Sequence, residues 1–183
     1  MGAIVDYFRR KALLKWASPV RTELLPFSSI ASVALLMDVE DPSFAEARDS
    51  ILAWFRSVGI KPDIHYFDFR KLEKNELLTT SIQNTVLKKE LNWYGMPNPV
   101  RSVDIKADLF ICLVDNDLFA TRFFSASCRC RFKIGRRSWE NSPFDLVVST
   151  GSDATTLQVF NKMKEYMAVI SPAADSEKTE ENA

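Results

Sequence analysis

Glycine and histidine are scarce in this sequence, and their scarcity excludes the most familiar catalytic motifs. The 183 residues include five glycines and one histidine. Neither G-x-G-x-x-G nor G-x-x-x-x-G-K-S/T occurs, and the nucleophile elbow G-x-S-x-G is absent as well. The one histidine, His65, falls within a predicted strand, where a hydrogen-bonded core histidine is expected rather than a catalytic base. We therefore identify no catalytic residue.

Cysteine is also infrequent, and its spacing argues against disulfides and metals. Three cysteines, Cys112, Cys128 and Cys130, are too few for a disulfide framework. The last two are separated by one residue, which matches neither a redox pair nor a zinc knuckle. Because there is only one histidine as well, we expect no metal site and no cofactor. Unpaired thiols favour a reducing, cytoplasmic setting.

The sequence lacks both a membrane-spanning run and an excess of either charge. The apolar stretch at residues 30–37 is far shorter than the roughly 20 residues that a spanning helix needs, and it lies too far from the N-terminus for a signal peptide. The formal net charge is zero, so nucleic-acid binding is not expected. Residues 129–137 carry five cations near Trp139, which could follow the phosphates of a single strand, but we prefer a solvated strand face.

The pattern that organises the chain is an apolar run followed by a polar turn and a helix. Residues 109–114 are apolar throughout and end at Asp115-Asn116-Asp117, which predicts a strand buried on both faces. Residues 32–37 and 144–148 repeat the pattern. Three strand-then-helix units predict a three-layer, Rossmann-like α/β fold: an open sheet of about five mainly parallel strands with helices on both faces, in a single domain over residues 30–170.

The remaining elements follow from local signals. Ser43 and Glu46 match a capping box at the start of a helix that ends near Gly59. Charged and apolar residues alternate over 129–134, which predicts a half-exposed strand near a sheet edge. We also predict a strand at 62–69 and two helices, one at 117–126 with Leu118 facing inward and one at 154–170. Residues 171–183 predict a disordered acidic tail. Residues 77–91 fit either one helix or a helix and a strand.

Two segments are candidate interaction surfaces. Residues 1–21 predict a basic amphipathic helix, which either docks on its own domain or a second copy, or lies on an anionic membrane. We favour docking, so peripheral membrane contact is disfavoured. The loop at 92–99, with Trp93 and Tyr94, is either a packed lid or a binding surface. A homodimer through either segment is possible.

A ligand site is expected, if anywhere, at the carboxyl ends of the strands. The candidate ligand-binding residues predicted there are Asp115, Asp117, Ser149, Thr150, Gly151, Ser152 and Arg136. The carboxylates could hold Mg²⁺ before a phosphorylated ligand, and residues 149–152 could bind an anion at a helix N-terminus. The alternative, which we prefer for the aspartates, is that they cap helices and close turns.

Three blocks of the sequence resemble known families. Residues 108–113 (DLFICL) with 131–135 (RFKIG), residues 88–97 (KKELNWYGMP) and residues 144–148 (FDLVV) are similar, in the same order, to an uncharacterised bacterial domain family of Bacteroidetes type. That resemblance implies a cytoplasmic α/β domain and brings no catalytic residues. More distantly, residues 108–135 are similar to the N-terminal half of heptosyltransferase-type glycosyltransferases, which implies a Rossmann-like topology. Those enzymes need a second nucleotide-binding domain, for which we expect no room here.

Together these features predict a non-enzymatic interaction or regulatory protein. The alternative is a module that binds a nucleotide or phosphorylated ligand at the carboxyl edge of the sheet.

Overall fold

The chain folds around one open sheet whose strands are all parallel. The structure, a computed structural model, describes residues 2–18, 22–23, 25–71, 80–151 and 153–170. Within these residues six strands lie in the order β3-β2-β1-β4-β5-β6. Their bounds are β1 Val33–Asp38, β2 Asp63–Asp68, β3 Thr85–Leu87, β4 Lys106–Cys112, β5 Arg129–Gly135 and β6 Leu146–Val147.

Helices cover the sheet and make the fold a three-layer, Rossmann-like sandwich. The α-helices are α1 Ala3–Trp16, α2 Phe44–Ser57, α3 Val100–Val103, α4 Phe119–Ser127 and α5 Thr156–Ile170, and short 3-10 turns lie at Phe27–Ser29, Ile82–Asn84 and Lys88–Glu90. The strand order reverses direction between β1 and β4, so the loops that follow these two strands leave a crevice at the carboxyl edge.

Alternate residues of the central strands build a core on each face of the sheet. Leu35 and Met37 of β1 pack with residues of α2 and α5 on one face, whereas Ala34 and Leu36 pack with residues of α4 on the other. A strand buried on both faces has apolar residues at every position, which explains the continuous run at 109–114. The predicted fold is therefore confirmed, with six parallel strands in place of about five.

Residues 77–91 and β5 show where the sheet agrees with expectation and where it differs. For 77–91 the alternatives were one helix or a helix and a strand, and the segment contains β3, a strand of three buried residues between two 3-10 turns; residues 72–79 lie outside the described residues. The strand β5 lies next to the two-residue edge strand β6, as expected, but its charged face is not exposed throughout. Its Lys133 is buried, and Lys133 Nζ donates to the carbonyl oxygens of Ser125 (2.8 Å) and Ala126 (3.2 Å) at the end of α4.

The predicted helix boundaries lie close to the observed ones, but not every predicted capping interaction is present. Gly59 has a φ of 74°, as a residue that ends α2 in the left-handed conformation should. Ser43, however, makes no capping bond to α2; its hydroxyl donates to Asp41 Oδ1 at 2.7 Å and accepts from the N–H of Thr156 at 3.4 Å. The helix at 117–126 begins at Phe119, and Leu118 is 46% exposed rather than inward.

The N-terminal helix docks on its own domain. Ala12 of α1 is buried against Phe119 and Phe123 of α4. Arg9 Nε donates to the carbonyl oxygen of Tyr94 at 2.8 Å, which fastens the loop at 92–96 to α1. Residues 19–21 and the predicted disordered tail at 171–183 lie outside the described residues. Among the described helices, none is both long enough and apolar enough to cross a lipid bilayer.

Candidate functional site

The first candidate site is the crevice at the carboxyl ends of β1 and β4, and a pair of opposite charges occupies it. Asp41, in the loop after β1, lies within 3.7 Å of Arg136, the first residue after β5 (Oδ2 to Nη1). The Arg136 side chain is only 8% exposed. It also donates to Thr156 Oγ1 at 3.0 Å and to the carbonyl oxygen of Ala154 at 2.7 Å. Arg136 therefore ties the loop after β1 to the start of α5.

Asp41 receives hydrogen bonds from both sides of the crevice. The backbone N–H and hydroxyl of Ser43 donate to Asp41 Oδ1 at 2.8 and 2.7 Å, and the Thr156 hydroxyl donates to Oδ2. Burial alone would raise the pKa of Asp41, but the hydrogen bonds from Thr156 and Ser43, with the charge of Arg136, outweigh burial and lower it below 3.8. Asp41 is therefore a carboxylate at neutral pH.

The carboxylate of Asp41 is already bonded to groups at the crevice that could otherwise bind an anion. In Rossmann-like domains a phosphate group lies beside the first helix of the crevice, against free backbone N–H groups. Here the N–H of Ser43, just before α2, already donates to Asp41. The positive charge of Arg136 is neutralised by the same carboxylate. An incoming phosphate would have to displace this carboxylate and separate the pair.

The two candidate aspartates after β4, Asp115 and Asp117, pair with different arginines. Asp115 is 44% exposed and lies 3.3 Å from Arg136 Nη2 and 3.5 Å from Arg137 Nη1. Asp117 pairs with Arg122 of α4, so its carboxylate belongs to a surface ion pair. The structure thus brings Asp115 and Arg136 together, and it assigns Asp117 a partner on the helix that follows.

Asp38 and Asn116 form the bond that crosses the switch point itself. Asn116 Nδ2 donates to Asp38 Oδ2 at 3.2 Å, which joins the loop after β4 to the end of β1. Asn116 Oδ1 accepts from Thr121 Oγ1 at 2.7 Å and from the N–H of Leu118 at 3.2 Å, which joins the loop to the first turn of α4. Burial raises the pKa of Asp38 above 3.8, although Asn116 and the N–H of Glu40 donate to it.

The predicted anion-binding turn is not the N-terminus of a helix. Ser149, Thr150 and Gly151 form a loop after β6, and α5 begins only at Thr156. That helix is capped by its own side chains, because the N–H of Thr155 donates to Gln158 Oε1 at 2.8 Å and the N–H of Gln158 donates to Thr155 Oγ1 at 3.3 Å. Ser152 lies outside the described residues, so its proposed role stays a prediction.

The other reactive side chains also have structural roles. Burial raises the pKa of the Cys112 thiol to about 12, so this cysteine is an inert core residue. His65 Nε2 lies 2.9 Å from Asp63 Oδ2, and the histidine is mostly buried. In the described part of the chain, no cluster of three or more histidine, cysteine or acidic residues is arranged to hold a metal ion.

The basic segment at 129–137 is largely neutralised within the molecule. Arg131 pairs with Glu23 and lies 3.5 Å from Asp108, and Lys133 donates to carbonyl oxygens at the end of α4. Arg136 and Arg137 face Asp115. These cations stabilise the fold, and they are not arranged as an open track for a phosphate backbone.

The second candidate site is an exposed surface made by α1 and the loop at 92–96. Trp93 is 65% exposed, and its ring centroid lies 5.2 Å from that of Phe8. The ring of Tyr7 also contacts that of Phe8, and the two ring centroids lie 5.5 Å apart. We call this surface the aromatic face, and it comprises Ile4, Tyr7, Phe8, Leu14 and Trp93, all exposed. Tyr94 lies beneath it, stacked on Phe8 at 5.9 Å.

Sequence reasoning missed several residues of the crevice. Asn116 and Thr156 join its two sides, yet each is an ordinary turn or helix-start residue by type. Their partners, Asp38 and Asp41, lie far away in the sequence. A detectable signal was the T-x-x-Q capping pattern at 155–158, which marks the true start of α5.

The chain matches a family model over most of its length. Residues 5–170 match a family of unknown function, DUF6913. No curated protein and no solved structure matches the chain.

Proposed function

Because the chain belongs to DUF6913, a family of unknown function, we propose its role from its geometry: it is a non-enzymatic interaction domain. One observation carries the proposal. The crevice that binds ligands in folds of this topology is occupied by the protein's own Asp41–Arg136 pair. The guanidinium of Arg136 is therefore unavailable to a substrate or cofactor.

The aromatic face supports the same proposal. Exposed aromatic side chains are common at binding surfaces, because they supply large contact areas with few rotatable bonds. Trp93 and Tyr7 are both more than half exposed although each packs its ring against that of Phe8. A rigid, exposed aromatic surface suits recognition better than catalysis.

A second candidate function rests on the outer part of the crevice. Asp115 and Arg137 are each nearly half exposed, at 44% and 47%, and could rearrange to bind a nucleotide or phosphorylated ligand. Thr150 and Gly151 in the loop after β6 would be further candidates. This alternative requires the ligand to compete with the existing ion pairs.

A thermal-shift screen against nucleotides, sugar nucleotides and inorganic phosphate, with and without Mg²⁺, separates the two functions. A ligand present at 100 times its dissociation constant stabilises a fold by about 2.7 kcal/mol, which raises the melting temperature by several degrees. We expect no shift. A shift that Asp115→Ala or Arg137→Met abolishes, and that Lys61→Met retains, would favour the ligand-binding module instead.

We propose a cytoplasmic location in a bacterial cell. Support for the compartment comes from the three cysteines, which are unpaired and buried. Support for the origin comes from the resemblance of residues 88–97 to a Bacteroidetes-type family. The likeness to heptosyltransferases rests on residues 108–135 alone, and it agrees with the strand order without implying their activity.

A further inference from the structure

Helix α1 has two apolar faces, and only one of them is covered. The inner face, centred on Ala12, packs on α4. On the opposite side Ile4, Tyr7 and Leu14 are 70%, 60% and 79% exposed. Residues 4, 7, 11 and 14 follow the helical period and form one continuous stripe. A helix that only covered its own domain would be polar on this side.

The outer stripe continues into the loop at 92–96. Phe8, beside the stripe, contacts the ring of Tyr7 at 5.5 Å and that of Trp93 at 5.2 Å. The five side chains of the aromatic face are each between 38% and 79% exposed, and neighbouring exposed apolar side chains of this kind are often part of a binding surface. The face is therefore a candidate binding surface.

The charges of α1 indicate what kind of occupant fits. Lys11 lies within the stripe, between Tyr7 and Leu14, and Lys15 lies one turn after it on the same side. Both lysines are exposed, and Arg10 adds a third exposed cation beside them. The nearest acidic residue on the helix, Asp6, lies toward the side away from the stripe. The aromatic face is thus apolar with positive charge at its centre.

A second copy of the chain fits this face poorly. Lys11 lies within the stripe, so in a two-fold dimer centred on the stripe it would be buried close to the partner's equivalent lysine, and the two like charges would repel. The stripe spans two heptads, which is too short for a coiled coil.

We propose that the aromatic face binds the surface of an anionic lipid membrane. This inference rests on the proposed function as an interaction domain, and it names the partner. The helix α1 lies in the interface plane, with Tyr7, Leu14 and Trp93 inserted among the lipid head groups and Lys11 and Lys15 paired with lipid phosphates. The inner face of α1 stays docked on α4, so the whole domain is held at the membrane.

The proposal is tested by co-sedimentation of the full chain with phosphatidylcholine vesicles that contain or lack phosphatidylserine. We expect binding to the anionic vesicles, weakened by added salt, and little binding to the neutral ones. Each basic residue near an anionic surface is worth about fivefold in partitioning. The variant Lys11→Glu/Lys15→Glu should therefore bind at least about 25-fold more weakly.

Matched variants separate this face from general surface charge. Lys61→Glu/Lys106→Glu makes the same change in net charge at two exposed lysines elsewhere and should bind much better than Lys11→Glu/Lys15→Glu. Tyr7→Ser/Trp93→Ser should lose binding, whereas Tyr166→Ser on α5 should not. Trp93→Phe should keep binding but lose most of the blue shift in tryptophan emission that vesicles produce, because Trp93 is the exposed tryptophan of the face. Circular dichroism checks that each variant is folded.

Three results would overturn the proposal: failure to bind anionic vesicles, equal binding by the Lys11→Glu/Lys15→Glu variant, or a dimer that Tyr7→Ser/Trp93→Ser dissociates. The last would show that a second copy covers the face. None of them would affect the proposed non-enzymatic role, which the ligand screen tests through the crevice. A nucleotide-induced shift with normal vesicle binding would overturn that role and leave the membrane surface in place.

Discussion

Arg136 and Asp41 meet across the carboxyl edge of the sheet, with Nη1 3.7 Å from Oδ2, although one follows β5 and the other follows β1. Between them lies the start of α5, where Thr156 accepts a hydrogen bond from Arg136 and donates one to Asp41. Three segments of the chain are thus joined at one buried guanidinium. This arrangement makes the crevice part of the structural framework.

Arg136→Met should lower the free energy of unfolding by about 2–3 kcal/mol, because the hydrogen bonds of the buried guanidinium to Thr156 and Ala154 are lost and the partly exposed Asp41 loses its charged partner. Chemical denaturation measures the change. Arg137→Met is the matched control: its side chain is 47% exposed and its Nη1 lies 3.5 Å from Asp115 Oδ1, so the loss should stay below about 1 kcal/mol. Equal losses in the two variants would contradict a structural role for Arg136.

Gly135→Ala should destabilise the protein by about 1–3 kcal/mol, because a new methyl group would overpack the site. A Cβ at this position would lie 2.1 Å from Cδ2 of the Phe144 ring. In a Phe144→Ala background the ring is absent, so the same glycine substitution should cost much less. Thermal denaturation of the four proteins in this cycle gives the coupling. Additive effects would show that the ring does not limit position 135.

The sequence was most informative where burial is continuous along a strand. The apolar run at 109–114 predicted β4 and the parallel sheet around it, because only a strand covered on both faces needs apolar residues at every position. The strand β3 stayed one of two alternatives for residues 77–91, because three residues are too few to show a period. The burial of Lys133 in β5 was missed because a lysine is usually exposed, and only the fold reveals that its ammonium group donates to carbonyl oxygens at the end of α4.

The sequence predicted where the crevice lies, but it did not predict that the charged side chains there are already paired with one another. The rule that ligands bind beyond the strand ends identified Asp115 and Arg136, and these residues do lie together. Their partners, Asp41 and Thr156, come from distant segments, so no local pattern could show that the charges are already paired. The stripe of α1 was visible in sequence as apolar spacing, but which of its faces is covered depends on α4.

His65 should make stability depend on pH below about 6.5. Burial lowers the pKa of His65 below 6.5, although Asp63 partly opposes this. The unfolded chain then binds a proton more readily than the folded protein, so stability is full above pH 6.5 and falls as the pH drops toward the folded pKa. Urea denaturation at several pH values should show this slope, and His65→Gln should lack it. A wild-type protein that becomes more stable as the pH falls over this range would contradict the assignment.

Arg9→Ala should loosen α1 without unfolding the sheet. The change removes the hydrogen bond to the Tyr94 carbonyl and the contact of the guanidinium with the Phe119 ring, 5.1 Å away. These interactions together are worth about 1–2 kcal/mol. Hydrogen exchange should become faster in residues 3–16 and remain unchanged in β1 and β4. Arg10→Ala, on the exposed side of the same helix, serves as the control and should leave exchange nearly unaltered.

Hydrogen–deuterium exchange of the full chain, with and without anionic vesicles, tests most directly whether the aromatic face is the binding surface. If the aromatic face is the working surface, vesicles should slow exchange in peptides covering residues 3–16 and 92–96 and leave residues 38–43 and 113–118 unchanged. Protection confined to the crevice loops, with none in α1, would contradict both the assigned surface and the closed state of the Asp41–Arg136 site.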